Sequence, residues 1–258
     1  MRIARFLPAG GGPASYGVVE GDGADAVIRG LDGSPFDGGR PAGDPVSLSE
    51  VTLLAPVEPS KVLAFGRNYA EHAKELGNEV PEIPVVFSKP STAVVGPGAE
   101  VAYPSLTSNL HFEGELAVVI GQRCTQVAPE DVAGVVLGYT VANDLTMRDL
   151  QRAEKQWTRA KGFDGSCPLG PWVETAVDPA ALALRTTVNG EVRQDGTTAD
   201  MLHDVAACVS FVSQAMTLLP GDVVLTGTPA GVRPLQVGDE VAVTIEGIGT
   251  LSTRIVAP

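Results

Sequence analysis

His111-Phe112-Glu113-Gly114-Glu115-Leu116-Ala117-Val118-Val119-Ile120 sets two carboxylates directly ahead of an unbroken apolar run that stops at Gly121. Such a run reads as a strand entering a core, and along a strand positions i and i+2 share a face. Glu113 and Glu115 then point the same way, with His111 on their side and Phe112 on the other. Two ionised carboxylates at the edge of a low-dielectric interior repel, so either one takes up a proton or a cation sits between them. A hard divalent metal is the simplest remedy. The alternative is a solvent-facing pair on an edge strand, and the rest of the chain decides between the two.

The chain has 258 residues, enough for one large domain, or one domain with a small appendage, around a substantial core. Hydrophobic residues at 44% against charged residues at 19% mark a globular chain rather than a disordered one. A net charge of −13 leaves no basic stripe for phosphates, which argues against nucleic acid and against anionic membrane surfaces. An acidic partner must therefore be small and held by a local cation. The three cysteines, Cys124, Cys167 and Cys208, are widely spaced and lack zinc-site pairing, which fits a reducing cytosol. No run of about 18 apolar residues is present, so a soluble cytoplasmic protein is expected.

Residues 1–57 carry short strand-like pieces among Gly, Pro and Asp and read as a small β-rich N-terminal subdomain, with a catalytic domain over 58–258. Lys61 to Phe65 reads as a strand ending in Gly66-Arg67-Asn68-Tyr69. Asn68 followed by Glu71 predicts an N-capped helix from Tyr69 to about Leu76. On it His72 and Glu75 are i and i+3, so a carboxylate adjoins an imidazole as a general base requires; an ordinary exposed pair has the same spacing. Val85 to Lys89 is a further strand with a lysine at its end. Tyr139 to Asp144 is another, and Thr146 with Asp149 predicts a capped helix from Met147 to about Trp157, on which Arg148 and Gln151 share a face. Lys161 falls in a Gly-flanked loop, Arg159 to Asp164. Asn189-Gly190 is a strong hairpin turn signal. Asp204 to Thr217 predicts a helix whose stripe of Val205, Cys208, Val209, Val212 and Met216 faces the core. Thr226-Gly227-Thr228-Pro229 is a turn suited to a small anion, or a plain turn. Three carboxylates, Glu113, Glu115 and Asp144, suit an oxygen-rich site with open positions. No His stands as a third ligand, so zinc is less favoured than Mg²⁺, Mn²⁺ or Ca²⁺. Serine-hydrolase, P-loop and Rossmann motifs are absent.

The runs GRNYAEHAKELG, FSKPSTAVVGPG, HFEGELAVVIG, GYTVANDLTMRDLQ, QWTRAKGFDGSCPLGPW and LLPGDVVLTGTPAGV resemble the fumarylacetoacetate hydrolase family, in its order and spacing, from about Lys61 to the C-terminus. The resemblance implies an α+β, mainly-β mixed roll with a few helices, commonly paired as a homodimer. It implies Mg²⁺ or Mn²⁺ held by Glu113, Glu115 and Asp144, a catalytic dyad of His72 and Glu75 on a mobile lid, and Lys161 beside the substrate's 2-oxo acid end. Arg67, Tyr69, His111, Arg148, Gln151 and Thr228 are the expected substrate contacts. The activity implied is hydrolysis of a C–C bond in acylpyruvate-type 2,4-dioxo acids such as acetylpyruvate or fumarylpyruvate, in aromatic compound catabolism. Isomerisation of a 2-hydroxyhepta-2,4-diene-1,7-dioate-like compound and oxaloacetate decarboxylation are alternatives on the same site. A non-catalytic metal-bound scaffold is the alternative from another class.

Overall fold

The computed structural model describes residues 1–258. The first 57 residues supply β1 (Arg2–Leu7), β2 (Ser15–Glu20), β3 (Val27–Gly30), β4 (Val46–Ser47) and β5 (Thr52–Leu53). Next come β6 (Val62–Gly66), α1 (Ala70–Glu75), β7 (Val85–Lys89), β8 (Val94–Val95), β9 (Ala99–Ala102), β10 (Leu110–His111), β11 (Gly114–Ile120) and β12 (Val136–Asn143). They are followed by β13 (Thr146–Met147), α2 (Arg148–Ala153), α3 (Thr158–Lys161) and β14 (Cys167–Glu174). The remainder forms β15 (Ala183–Val188), β16 (Glu191–Thr197), α4 (Val205–Ala215), β17 (Val223–Leu225), β18 (Glu240–Ile245) and β19 (Gly249–Val256). The class is α+β, with strands dominant.

One sheet of 12 strands runs β4-β3-β2-β1-β14-β12-β11-β17-β6-β7, with β5 on β1 and β8 on β14. A second, of five strands, runs β16-β15-β18-β19-β9. The expected turn at Asn189-Gly190 closes the β15–β16 hairpin, and both residues have positive φ, as a type I′ turn requires. The N-terminal strands do not form a sheet of their own: β1 pairs antiparallel with β14, Ile3 opposite Val173.

Strand β11 lies at the centre and is buried along its whole length. Its alternate residues enter two different cores. Leu116, Val118 and Ile120 join Leu184, Val243, Ile245 and Leu251 between the two sheets, whereas Ala117 and Val119 join Val62, Ala64, Val223 and Leu225 on the opposite face. Gly114 is on the face toward the second sheet. A Cβ there would come within 2.3 Å of Thr186 Oγ1 and 2.9 Å of Val243 Cγ1, so the sheets approach where a side chain would not fit.

Four local expectations fail. Asn68 does not cap α1, whose N-cap is Tyr69 without a side-chain bond; its amide instead donates to the carbonyls of His203 and Thr226, and its Oδ1 accepts from His203 N. The helix from Met147 to Trp157 is broken into α2 and α3. Asp149 does not box with Thr146 but accepts from Thr107 Oγ1 and Ser108 N, while Thr146 donates to the Asp144 carbonyl at 2.9 Å. Lys161 accordingly ends a helical turn and is not in a loop. On α4, whose N-cap Asp204 accepts from Ala207 N, Val205, Cys208, Val209 and Val212 of the expected stripe are buried but Met216 is exposed, since the helix stops at Ala215.

Candidate active site

The antiparallel register of β11 and β12, Gly114 opposite Asn143, brings Glu113 and Asp144 side by side at the strand ends. Asp144 N donates to the Glu113 carbonyl at 2.8 Å, and Glu113 N donates to Asn143 Oδ1 at 3.1 Å. Carboxylate oxygens of Glu113, Glu115 and Asp144 thereby lie within 4.8 Å of one another, all three side chains buried.

Buried cations surround two of the three. Lys161 Nζ bonds to Glu113 and, at 2.6 Å, to Asp144. Arg148 Nη2 reaches Glu113 Oε1 at 2.5 Å, and Lys89 Nζ reaches Asp144 Oδ1 at 2.5 Å while also bonding the Lys161 carbonyl. Burial alone would raise the Glu113 carboxyl, but Lys161 and Arg148 outweigh it and hold the group well below the usual range. Burial works against the Lys161 ammonium too, and Asp144 and Glu113 overcome it and raise its pKa. Glu115 is the exception. It makes no salt bridge and accepts one bond, from Gly227 N at 2.7 Å. Burial, then Asp144 and Glu113, push its carboxyl well above the ordinary value. A buried carboxylate with two like charges beside it and no salt bridge of its own fits the role of a cation ligand, and three convergent carboxylates are the donor set of a hard, oxygen-preferring divalent ion.

Above the carboxylates lies a cavity of about 360 Å³ whose wall includes Arg67, His72, Glu113, Glu115, Arg148, Gln151, Lys161 and Thr228. His72, 5% exposed on α1, has Nε2 at 3.8 Å from Glu113 Oε1 and Nδ1 at 3.5 Å from Glu75 Oε2. Nδ1 has no hydrogen-bond partner. Burial lowers the imidazole pKa, with Glu113 partly opposing, so the ring is neutral near pH 7. Glu75 stands behind it, off the cavity wall, and accepts from Gly231 N at 3.0 Å and Arg233 Nη1 at 2.6 Å. Arg148 also donates to Gln151 Oε1 at 2.6 Å, which places the predicted pair together. Thr228 Oγ1 donates to the Gly114 carbonyl at 2.8 Å.

Tyr69 and His111 are not on the wall. Tyr69 is buried, with its hydroxyl unpaired and its pKa raised by burial and then by Glu115. His111 pairs in β10 with Thr146 of β13 and bonds Asn109 Oδ1 at 2.9 Å. Burial and Arg148 push its imidazole down to about 4. The strand breaks at Phe112 and Glu113, so the two-residue period that set His111 beside the glutamates does not extend back to it.

Sequence reasoning missed two buried groups. Lys89 was visible as a lysine ending a strand before Pro90, a position that by itself names no partner. Gln194, fully buried, accepts from Gly114 N at 3.0 Å and donates to Thr228 Oγ1 at 2.7 Å, bracing the turn. No alternation signals it: the β15–β16 register shifts between the pairs Thr186–Gln194 and Thr187–Val192, so Val192 is exposed while Gln194 turns inward.

The family model described as "Fumarylacetoacetate (FAA) hydrolase C-terminal" matches residues 61–256, and one described as "Rv2993c-like, N-terminal" matches residues 1–56. Protein Rv2993c of Mycobacterium tuberculosis is 47% identical over 260 residues, covering 99% of this chain and 98% of its own. Oxaloacetate tautomerase YcgM of Escherichia coli is 49% identical over 203 residues, covering 76% of this chain and 92% of its own. A solved structure of 2-hydroxyhepta-2,4-diene-1,7-dioate isomerase from Mycobacterium marinum superposes with a TM-score of 0.92 at 46% identity, covering 100% of this chain and 98% of that one. With the carboxylate triad, the buried lysines and the roll of strands in place, these matches establish that the chain belongs to the fumarylacetoacetate hydrolase family.

Proposed function

We propose that the chain is a divalent-metal-dependent enzyme that enolises a small 2-oxo dicarboxylic acid, moving a proton at the carbon beside the 2-oxo group. The observation that carries this reading is a neutral, buried imidazole facing a carboxylate triad in one cation-rich cavity. Two relatives support it by their names, a tautomerase of oxaloacetate and an isomerase of a dienedioate.

Glu113, Glu115 and Asp144 would hold Mg²⁺ or Mn²⁺, with Ca²⁺ suited to the same donors, and the ion when bound supplies Lewis-acid stabilisation of charge developing at the reacting oxygen. Lys161, fixed between Glu113 and Asp144, adds positive charge at the same end of the cavity. Thr228, oriented by Gln194 and the Gly114 carbonyl, and Gln151, held by Arg148, place polar groups on the wall. His72 Nε2 faces Glu113 and takes the proton; Nδ1 faces Glu75, whose carboxylate stabilises the imidazolium so formed.

A second reading, hydrolysis of acylpyruvates, is favoured by the same His72–Glu75 adjacency, since such a pair can deprotonate a water. The two separate on one panel run with Mg²⁺ and Mn²⁺: ketonisation of enol-oxaloacetate, decarboxylation of oxaloacetate, dienedioate isomerisation, and pyruvate release from acetylpyruvate and fumarylpyruvate. The highest kcat/KM is expected on an enol or dienol diacid. Faster release of pyruvate from acylpyruvates would make the enzyme a hydrolase, and no metal-dependent turnover of any substrate would leave the scaffold reading standing.

A further inference from the structure

Four cationic residues line the cavity: Arg67, Arg148, Arg152 and Lys161. Arg148 and Lys161 are committed to Glu113 and Asp144. Arg67 and Arg152 form no salt bridge and donate no side-chain hydrogen bond. Shortage of acids is not the reason, because the chain holds 31 Asp and Glu against 18 Lys and Arg. Of the acids on the same wall, Glu113 and Glu115 belong to the carboxylate triad and Glu154 pairs with Arg159 at 2.9 Å.

Arg67 is also held in an unusual way. Its φ is 58°, in the left-handed region that glycine or asparagine adopts more readily. Its guanidinium carbon lies 5.9 Å from the centre of the Trp157 ring. That ring stands edge-on to Phe87 at 5.4 Å, and Gly66 makes room for it: a Cβ there would come within 2.6 Å of Trp157. At this distance the guanidinium is within cation–π range of the ring face, and its fork of N–H donors, unpaired within the chain, is available to a planar acceptor. A backbone in a costly conformation beside a cavity, ending in an unused fork, is an arrangement kept for a ligand.

We infer that Arg67 and Arg152 form the subsite for the second carboxylate of the substrate, so that the cavity selects 2-oxo diacids over monoacids with the same 2-oxo end. Arg67 supplies an oriented fork, and Arg152, exposed on α2, supplies a second positive charge at the cavity wall. The inference rests on the 2-oxo acid reading above and adds to it the residues that choose among such acids.

The test is calorimetric binding to the full-length, Mg²⁺-loaded protein of 2-oxoglutarate and 2-oxopentanoate, which match in chain length and differ in the distal carboxylate. The wild type is expected to prefer the diacid by about tenfold or more, as charge-assisted bonds imply. In Arg67→Asn/Arg152→Met, where asparagine tolerates the left-handed backbone, the preference falls below about twofold. Arg152→Met alone, an exposed change that leaves the Arg67 turn intact, lowers it part of the way. Lys155→Met and Arg123→Met remove equal charge at exposed positions outside the cavity and are expected to keep it. A preference that survives in the double variant, or falls equally in the two outside variants, overturns the subsite and leaves the 2-oxo acid reading intact. Failure of both acids to bind overturns the subsite and the 2-oxo acid reading together.

Discussion

His72 and Glu115 are the two residues whose charge states the fold sets against habit. Burial keeps the His72 imidazole neutral, so its base form is present near pH 7 and is lost as pH falls through a pKa lying below the ordinary 6.5. The kcat/KM profile should therefore carry an acid limb below that value; a limb at or above it contradicts the assignment. His72→Ala should lower kcat by about 10²- to 10⁴-fold, as for a lost general base, without changing the melting temperature by more than a few degrees. Glu115 shows the opposite sign. Its carboxyl is raised, so ionising it destabilises the metal-free protein as pH rises above the unfolded carboxylate value. Glu115→Gln should stabilise the protein in EDTA by on the order of 1–3 kcal/mol and abolish most of the thermal stabilisation that saturating Mn²⁺ gives the wild type. Melting curves with and without metal check both halves. Glu113 and Glu115 were legible as a pair because strand period is local, and Asp144, which β11–β12 pairing brings beside them, was joined to them through the family motif. Lys89 was not, because its partners, Asp144 and the Lys161 carbonyl, are brought to it by chain crossings that no spacing records.

At the scale of elements, the parallel pair β6–β17 is tied at its start by Asp222. Its carboxylate accepts from Ser60 N, Ser60 Oγ, Lys61 N and Leu219 N, at 2.6 to 3.2 Å, and pairs with Lys61 Nζ. Burial opposes ionisation, but Lys61 and Ser60 prevail and lower the pKa, so this contribution is present above the unfolded carboxylate value and is lost as pH falls through the folded one. Asp222→Ala should cost about 2–4 kcal/mol in urea unfolding, because several donors lose their acceptor. Gly114→Ala should also destabilise, by on the order of 2 kcal/mol or more, and weaken metal binding, since an added Cβ forces Glu113 and Glu115 out of register with the second sheet. Strands and hairpins read correctly where apolar alternation and turn residues agreed. The failures, the Asn68 cap and the long helix after Thr146, had correct local signals that were overridden: Asn68 and Asp149 bond to residues far along the chain, in regions that sequence patterns do not join.

Across the whole molecule, the N-terminal 57 residues extend the large sheet rather than standing apart from it. Ile3 of β1 belongs to the core cluster that also holds Val173, Ala117 and Val119. Deleting residues 1–56 would bare the β14 edge, and the truncated protein should melt lower and aggregate at concentrations where the full chain does not. No helix is long and apolar enough to cross a membrane. The homodimer expected from the family resemblance is a proposal that light scattering on the full chain tests, a monomer being the result against it. The roll itself was legible through the motifs of residues 61 onward; the pairing of β1 with β14 inside the large sheet was not, because pairing between strands far apart in the chain leaves no periodic trace.

The central claim is that His72 and the carboxylate triad together move a proton at the carbon beside a 2-oxo group. It is tested most directly by stopped-flow ketonisation of enol-oxaloacetate with the wild type in Mg²⁺, the wild type in EDTA, and His72→Ala in Mg²⁺. The account predicts a rate well above buffer in the first alone. A rate in His72→Ala equal to the wild type, or no acceleration by the wild type in Mg²⁺, contradicts it.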